Sequence, residues 1–129
     1  MTKGRHTGSI LVVDDDRGAM EALSDILEYE GYHVERAQNG LQALEHLRET
    51  RPYPNLIILD LLMPVMDGWE FRTRQKEDPE LAKIPVLVVT AIGATAGIDA
   101  AGVLRKPIDV QTVRAMIQQV RRRPAQSTA

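Results

Sequence analysis

The sequence contains no cysteine, so disulfide bonds and thiolate metal ligands are excluded. It also has no stretch near the roughly 20 apolar residues that a membrane-spanning helix needs. The N-terminal residues MTKGRHTG include no apolar segment of the kind found in secretory signals. The net charge of −2 creates no overall positive field for nucleic acid. We therefore expect a cytoplasmic protein that binds neither membranes nor nucleic acids.

Short apolar runs alternate with helical patterns along the chain. The runs suited to buried strands are residues 9–13, 33–37, 56–59, 86–89 and 102–104. Apolar residues at helical spacing lie between and after them: Met20, Leu23, Ile26 and Leu27; Leu41, Leu44 and Leu47; Val110, Val113, Ile117 and Val120. Strands that alternate with helices predict an α/β fold with a parallel sheet and helices on both faces.

The length of 129 residues suits one domain. We expect a flexible lead-in over residues 1–8, the domain over 9–122 and a flexible tail over 123–129. No output domain is visible after residue 122. The protein is therefore expected to act by docking, or to be one module of a larger regulator.

Polar residues follow several of the predicted strands. Asp14 and Asp15 follow the first, Asp60 the third, Thr90 the fourth and Lys106 the fifth. Ligands of open parallel sheets sit outside the carboxyl ends of the strands. Three neighbouring carboxylates repel one another, and Mg²⁺, which prefers oxygen ligands, relieves that repulsion. The pattern predicts Mg²⁺ together with a phosphoryl group, a carboxylate nucleophile, and charge and hydroxyl contacts from Lys106 and Thr90.

Four motifs occur in a fixed order: ILVVDDD (10–16), LIILDLLMPVMDGWEF (56–71), VLVVTA (86–91) and LRKP (104–107). Asp60 lies 45 residues after Asp15, and Thr90 lies 30 residues after Asp60. Over residues 9–122 the chain resembles the receiver domain of bacterial two-component response regulators. The resemblance implies a doubly wound, flavodoxin-like five-stranded sheet in the order 2-1-3-4-5.

The resemblance also implies a role for each site residue. Asp60 would be the phosphoacceptor, contacted by Thr90 and Lys106. Mg²⁺ would be held by Asp14, Asp15, Asp60 and the backbone carbonyl of Leu62. The phosphoryl donor would be a histidine kinase, a phosphotransfer protein or a small acyl phosphate. No enzymatic activity is expected beyond self-phosphorylation and self-dephosphorylation at Asp60.

The chain departs from usual receivers between the fourth and fifth strands. Residues 91–101, AIGATAGIDAA, are near the minimum length for a crossover that includes a helix. Gly93 and Gly97 disfavour helix, so we expect the fourth helix to be shortened or missing. Val103 stands where receivers usually carry an aromatic switch residue, and it has no ring. We therefore expect phosphorylation to change residues 91–101 most and residues 61–68 less.

Two further expectations come from the resemblance. The Lys106–Pro107 peptide bond should be cis, although cis is a minority state of X–Pro bonds. Leu62 and Ile92 occupy positions that flank the path of the attacking water in receivers. Both are apolar and cannot orient that water, so we expect a long-lived aspartyl phosphate.

Two alternative functions are consistent with parts of the sequence. A phosphatase of the haloacid dehalogenase type would use Asp14 as nucleophile and Asp16 as acid, but it leaves Asp60 without a role. The second alternative is a receiver-like binding module that does not switch by phosphorylation. We interpret Asp16 as a cap for the following helix, and Asp67-Gly68 as a turn at the rim of the site.

Overall fold

The computed structural model of the protein describes residues 8–93 and 98–122. The apolar runs form five parallel strands: β1 (Ser9–Val13), β2 (His33–Ala37), β3 (Leu56–Leu59), β4 (Val86–Thr90) and β5 (Gly102–Arg105). The strand order in the sheet is β2-β1-β3-β4-β5, which confirms the predicted topology. The order reverses between β1 and β3, where open α/β sheets bind their ligands.

Four helices connect or follow the strands: α1 (Arg17–Tyr29), α2 (Gly40–Glu49), α3 (Gly68–Glu77) and α4 (Val110–Arg122). A single 3-10 turn, Leu81–Lys83, precedes β4. Asp16, Asn39 and Asp67 cap the first three helices by accepting a hydrogen bond from a backbone N–H of the first turn. These caps satisfy free donors at the carboxyl edge of the sheet, so each loop turns sharply into its helix.

The sheet is buried on both faces. Neighbouring residues of each central strand point to opposite sides, and helices cover both sides. One apolar cluster joins Ile10, Val12 and Ile58 to the inner faces of α1 and α4. The other joins Leu11 and Leu59 to the inner faces of α2 and α3. Burial on both faces leaves the strand ends as the places where polar groups reach solvent.

Three predicted apolar positions do not lie in the core. Ile26 of α1 is only partly buried and belongs to neither apolar cluster, and the other two positions are exposed. Leu41 is exposed, because residues 40, 43, 44 and 47 form the buried side of α2 and residue 41 lies about 100° around the helix from residue 40. Val110 is also exposed as the first residue of α4, whereas the remaining predicted positions of that helix are buried.

The crossover between β4 and β5 has no helix in its described part, residues 91–93 and 98–101. This agrees with the expected loss or shortening of the fourth helix; residues 94–97 lie outside the described residues. The expected lead-in and tail fall largely outside them as well. Gly8 is described, and its carbonyl accepts a hydrogen bond from the His33 N–H at 3.1 Å. No helix of the described part is long and apolar enough to cross a membrane.

Candidate functional site

Backbone hydrogen bonds continue past the strand ends and bring the predicted site residues together. The Asp60 N–H donates to the Val13 carbonyl at 2.9 Å, which sets Asp60 beside the end of β1. The Lys106 N–H donates to the Thr90 carbonyl at 2.9 Å, which sets Lys106 beside the end of β4. The parallel ladder therefore determines where the polar residues lie, because each ends or follows a strand and the strands end at the same edge.

Three carboxylates meet at this edge. Asp14, Asp15 and Asp60 each offer an oxygen atom, and the three oxygens lie within 4.8 Å of one another. Asp14 and Asp60 are only 6% and 7% exposed, whereas Asp15 faces solvent. This is the acidic cluster that the sequence predicted. Two buried carboxylates and one accessible carboxylate leave the cluster open to solvent on the Asp15 side.

Lys106 bridges the two buried carboxylates. Its Nζ donates a hydrogen bond to Asp14 Oδ2 at 2.8 Å and lies 3.6 Å from Asp60 Oδ2. Burial disfavours the charged amine, but the bond and attraction to Asp14, with the charges of Asp60 and Asp16, outweigh burial and raise the pKa of Lys106. Lys106 is therefore a fixed cation beside the oxygens of Asp60.

Burial is the main reason that the pKa of Asp60 is raised above its usual value, and repulsion by Asp14 adds to it. Attraction to Lys106 and hydrogen bonds from the Leu61 N–H and the Thr90 side chain act in the opposite direction without cancelling it. The Leu61 N–H contact measures 2.8 Å. Asp60 is thus a desolvated carboxylate whose ionised form is not fully neutralised by its protein neighbours.

The donor set suits a hard divalent cation. Carboxylate oxygens are the ligands that such ions prefer, and an added positive charge relieves the repulsion that raises the pKa of Asp60. Leu62, whose backbone carbonyl the resemblance adds to the ligands, follows in the loop after Asp60 and is exposed. The described residues can therefore hold a metal ion at the edge of the sheet.

The loop after Asp60 is held by a close backbone contact that the sequence did not reveal. The Gly68 N–H donates to the Leu61 carbonyl at 2.9 Å. A Cβ atom at Gly68 would stand 2.7 Å from the Asp60 carbonyl oxygen and 2.8 Å from the Leu61 Cα. Only glycine fits, so Asp67-Gly68 is more than a turn: Asp67 caps α3 and Gly68 packs against the backbone of Asp60.

The interpretation of Asp16 is confirmed. Its side chain accepts a hydrogen bond from the Ala19 N–H at 3.2 Å as the cap of α1. The phosphatase alternative required Asp16 as an acid and left Asp60 unused, whereas Asp60 lies in the carboxylate cluster. Neither that alternative nor the non-switching module is favoured.

The Lys106–Pro107 bond is cis, as the resemblance implied. A second cis bond, Arg51–Pro52, was not predicted, and no motif in the sequence indicated it. Both lie outside the regular helices and strands.

Comparison with known proteins gives a consistent assignment. The family model described as "Response regulator receiver domain" matches residues 10–118. The polar-differentiation response regulator DivK of Brucella anthropi is 41% identical over 83 residues, which cover 64% of this chain and 66% of that protein. The response regulator MprA of a Mycobacterium species is 37% identical over 120 residues, or 88% of this chain and 50% of that protein. The chain thus spans about half the length of MprA.

A solved structure agrees with these matches. The chemotaxis response regulator CheY4 of Vibrio cholerae is 30% identical with a TM-score of 0.80, and the match covers 89% of this chain and 99% of that one. In this chain the strand order and the acidic edge therefore occur together with similarity to known receivers over most of its length. The chain belongs to the receiver domain family of response regulators.

Proposed function

We propose that the protein accepts a phosphoryl group on Asp60 from a histidine kinase or a phosphotransfer protein in the cytoplasm, with Mg²⁺ as cofactor. The ligands of Mg²⁺ would be Asp14, Asp15, Asp60 and the backbone carbonyl of Leu62. The observation that carries the proposal is the cluster of three carboxylates joined by Lys106 at the carboxyl edge of the sheet. A receiver that only bound proteins would not require two buried carboxylates and a lysine at one point.

The transfer balances without any further reactant. An Asp60 carboxylate oxygen forms a bond to phosphorus while the bond from phosphorus to the donor's imidazole nitrogen breaks. The electron pair of the broken bond stays on that nitrogen. Phosphoryl transfer depends mainly on positioning and charge neutralisation, which Mg²⁺ would supply when bound.

Lys106 and Thr90 would contact the transferred group. Lys106 Nζ already lies 3.6 Å from Asp60 Oδ2, so its charge is in place for phosphoryl oxygens on that carboxylate. Thr90 is fully buried and its side chain donates a hydrogen bond to Asp60. Its hydroxyl is therefore placed to donate to phosphoryl oxygens on Asp60. Both residues act by binding and orienting oxygens.

The test is intact-mass measurement after incubation with a small acyl phosphate and Mg²⁺. We expect one phosphoryl adduct on the wild-type protein and none on Asp60→Ala. Asp15→Ala should slow the transfer, because it removes a metal ligand but keeps the acceptor. Asp25→Ala, an exposed carboxylate on α1, is the matched control and should react like wild type. An adduct that forms at full yield on Asp60→Ala contradicts the proposal.

A further inference from the structure

Asp99, near the end of the crossover from β4 to β5, is held by two cations of α3. Arg72 Nε donates to the Asp99 backbone carbonyl at 2.6 Å, and Arg72 Nη2 lies 3.8 Å from Asp99 Oδ2. Lys76 Nζ donates to the same Oδ2 at 2.8 Å. We call Asp99, Arg72 and Lys76 the Asp99 clamp. None of the three residues of the Asp99 clamp lies in the sequence motifs of the family. Its contacts join residues that are 23 and 27 positions apart in the chain.

One side of the Asp99 clamp is rigid. The Arg72 side chain is only 13% exposed, and its Nη1 donates to Gln75 Oε1 at 2.9 Å. Gln75 is fully buried, and its Nε2 donates to the carbonyls of Leu81 and Ile84 at 2.8 and 3.0 Å. Arg72 is therefore fixed to α3 and to the segment that leads into β4, so Asp99 is tied to a firm support.

The other side of the Asp99 clamp is accessible to water. The Asp99 side chain is 69% exposed, and the Lys76 side chain is about half-exposed. The hydrogen bond from Lys76 and the attraction between the two charges are the main reason that the pKa of Asp99 is lowered. Exposed ion pairs contribute little free energy, because water replaces a lost partner. The carboxylate contacts can thus open and close at modest cost.

The crossover lies between the two residues proposed to contact the phosphoryl group. Thr90 precedes it, and Lys106 follows β5 directly. A phosphoryl group on Asp60 would place oxygens beyond the carboxylate, so contacts of Thr90 and Lys106 with those oxygens would form at new positions. Any shift of these strand ends moves the crossover relative to α3, and the contacts of Asp99 to α3 oppose that shift.

We propose that the Asp99 clamp holds the crossover in its unphosphorylated position and opens when Asp60 is phosphorylated. This inference rests on the proposed function. Contacts made only in the unphosphorylated state lower the population of the other state, and they weaken the apparent affinity of any ligand that selects it. Removing those contacts therefore tightens the binding of a phosphoryl mimic.

The probe is beryllofluoride with Mg²⁺, titrated calorimetrically into the full chain. Asp99→Asn keeps the shape of the side chain and removes its charge, and we expect about two- to fivefold tighter binding. Lys76→Gln should act in the same direction with a smaller change, and it replaces a side chain that is about half-exposed. Lys83→Gln is the matched control, because it breaks the Lys83–Glu80 pair of 3.7 Å without touching the crossover.

Unchanged or weaker binding in both Asp99→Asn and Lys76→Gln overturns the inference while leaving the proposed function intact. Failure of the wild-type protein to bind beryllofluoride overturns the proposed function, and the role of the clamp with it. A residue that only stabilised the fold would lower the free energy of unfolding without tightening binding. The tightening should also shrink at high ionic strength, since the contacts removed are partly exposed charge pairs.

Discussion

The carboxyl edge of the sheet has two halves that are built differently. In the acidic half, Asp14, Asp60 and the loop 61–68 are held by backbone hydrogen bonds and by the close approach of Gly68. In the crossover half, residues 91–93 and 98–101 follow no regular structure, and Asp99 is tied to side chains of α3.

The difference corresponds to two requirements of the proposed function. Chemistry at Asp60 needs charges held in place before the phosphoryl group arrives, which a rigid backbone provides. Transmission of the signal needs a segment that changes at lower cost than the core, and the described part of the crossover has no regular structure and is only partly buried. The following predictions test the rigidity and the charge of the acidic half, the first two against a position in the crossover.

The largest expected effect compares one glycine from each half. Gly68→Ala should lower the free energy of unfolding by about 2–3 kcal/mol, because the added Cβ meets backbone atoms at 2.7 and 2.8 Å. Gly93→Ala should cost less than about 0.5 kcal/mol, since its Cβ meets only the end of the flexible Arg105 side chain at 3.2 Å. Urea unfolding measures both, and equal losses would contradict the difference in rigidity.

The second effect concerns the lifetime of the phosphorylated form and joins the two halves. Leu62→Asn combined with Ile92→Glu should speed loss of phosphate about tenfold, because these side chains can orient an attacking water where the apolar pair cannot. Phosphate release after removal of the donor gives the rate. Val65→Asn adds a polar group to the same loop as a control and should leave the rate unchanged. An unchanged or slower rate in the double variant would show that these positions do not limit hydrolysis.

The third effect concerns the charge in the acidic half. Because the folded pKa of Asp60 is raised above 3.8, stability contributed by this group falls as pH rises from about 3.8 through the folded pKa. Without Mg²⁺, the Asp60→Asn variant should therefore have a higher free energy of unfolding than the wild-type protein at pH 7, by on the order of 1 kcal/mol, as measured by urea unfolding. The gain should vanish below pH 3.8, where Asp60 is protonated in both states. A less stable Asn variant at pH 7 would mean that Lys106 fully neutralises Asp60.

The smallest effect compares two exposed valines. Val65 in the loop after Asp60 has φ 70°, a left-handed conformation that β-branched residues rarely adopt. Val65→Asn should raise the free energy of unfolding by about 0.5 kcal/mol, because asparagine tolerates this conformation. Val103→Asn in β5 is the matched change and should lower it by about 0.5 kcal/mol, since asparagine suits strands poorly. Thermal or urea unfolding distinguishes the signs, and a loss at both positions would contradict the strain at Val65.

Much of the fold was predictable because the strands and helices are local patterns. The apolar runs predicted all five strands, and the helical spacing predicted the inner faces of α1 and α4 apart from Ile26 and Val110. The prediction that Leu41 lies on the buried side of α2 was wrong, because leucines spaced every three residues drift around the helix. The changes expected on phosphorylation, largest at 91–101 and smaller at 61–68, stay predictions, and residues 94–97 of the first segment lie outside the described part of the chain.

The sequence by itself determined which acidic residues meet at the edge of the sheet. Aspartates placed directly after buried strands must emerge at the carboxyl edge of a parallel sheet, so Asp14, Asp15 and Asp60 could be assigned from position and motif alone. Only the tertiary structure decided how those groups are held: the bridge made by Lys106 and the tie between Asp99 and α3. These contacts depend on the distances between segments far apart in the chain, and packing alone sets those distances.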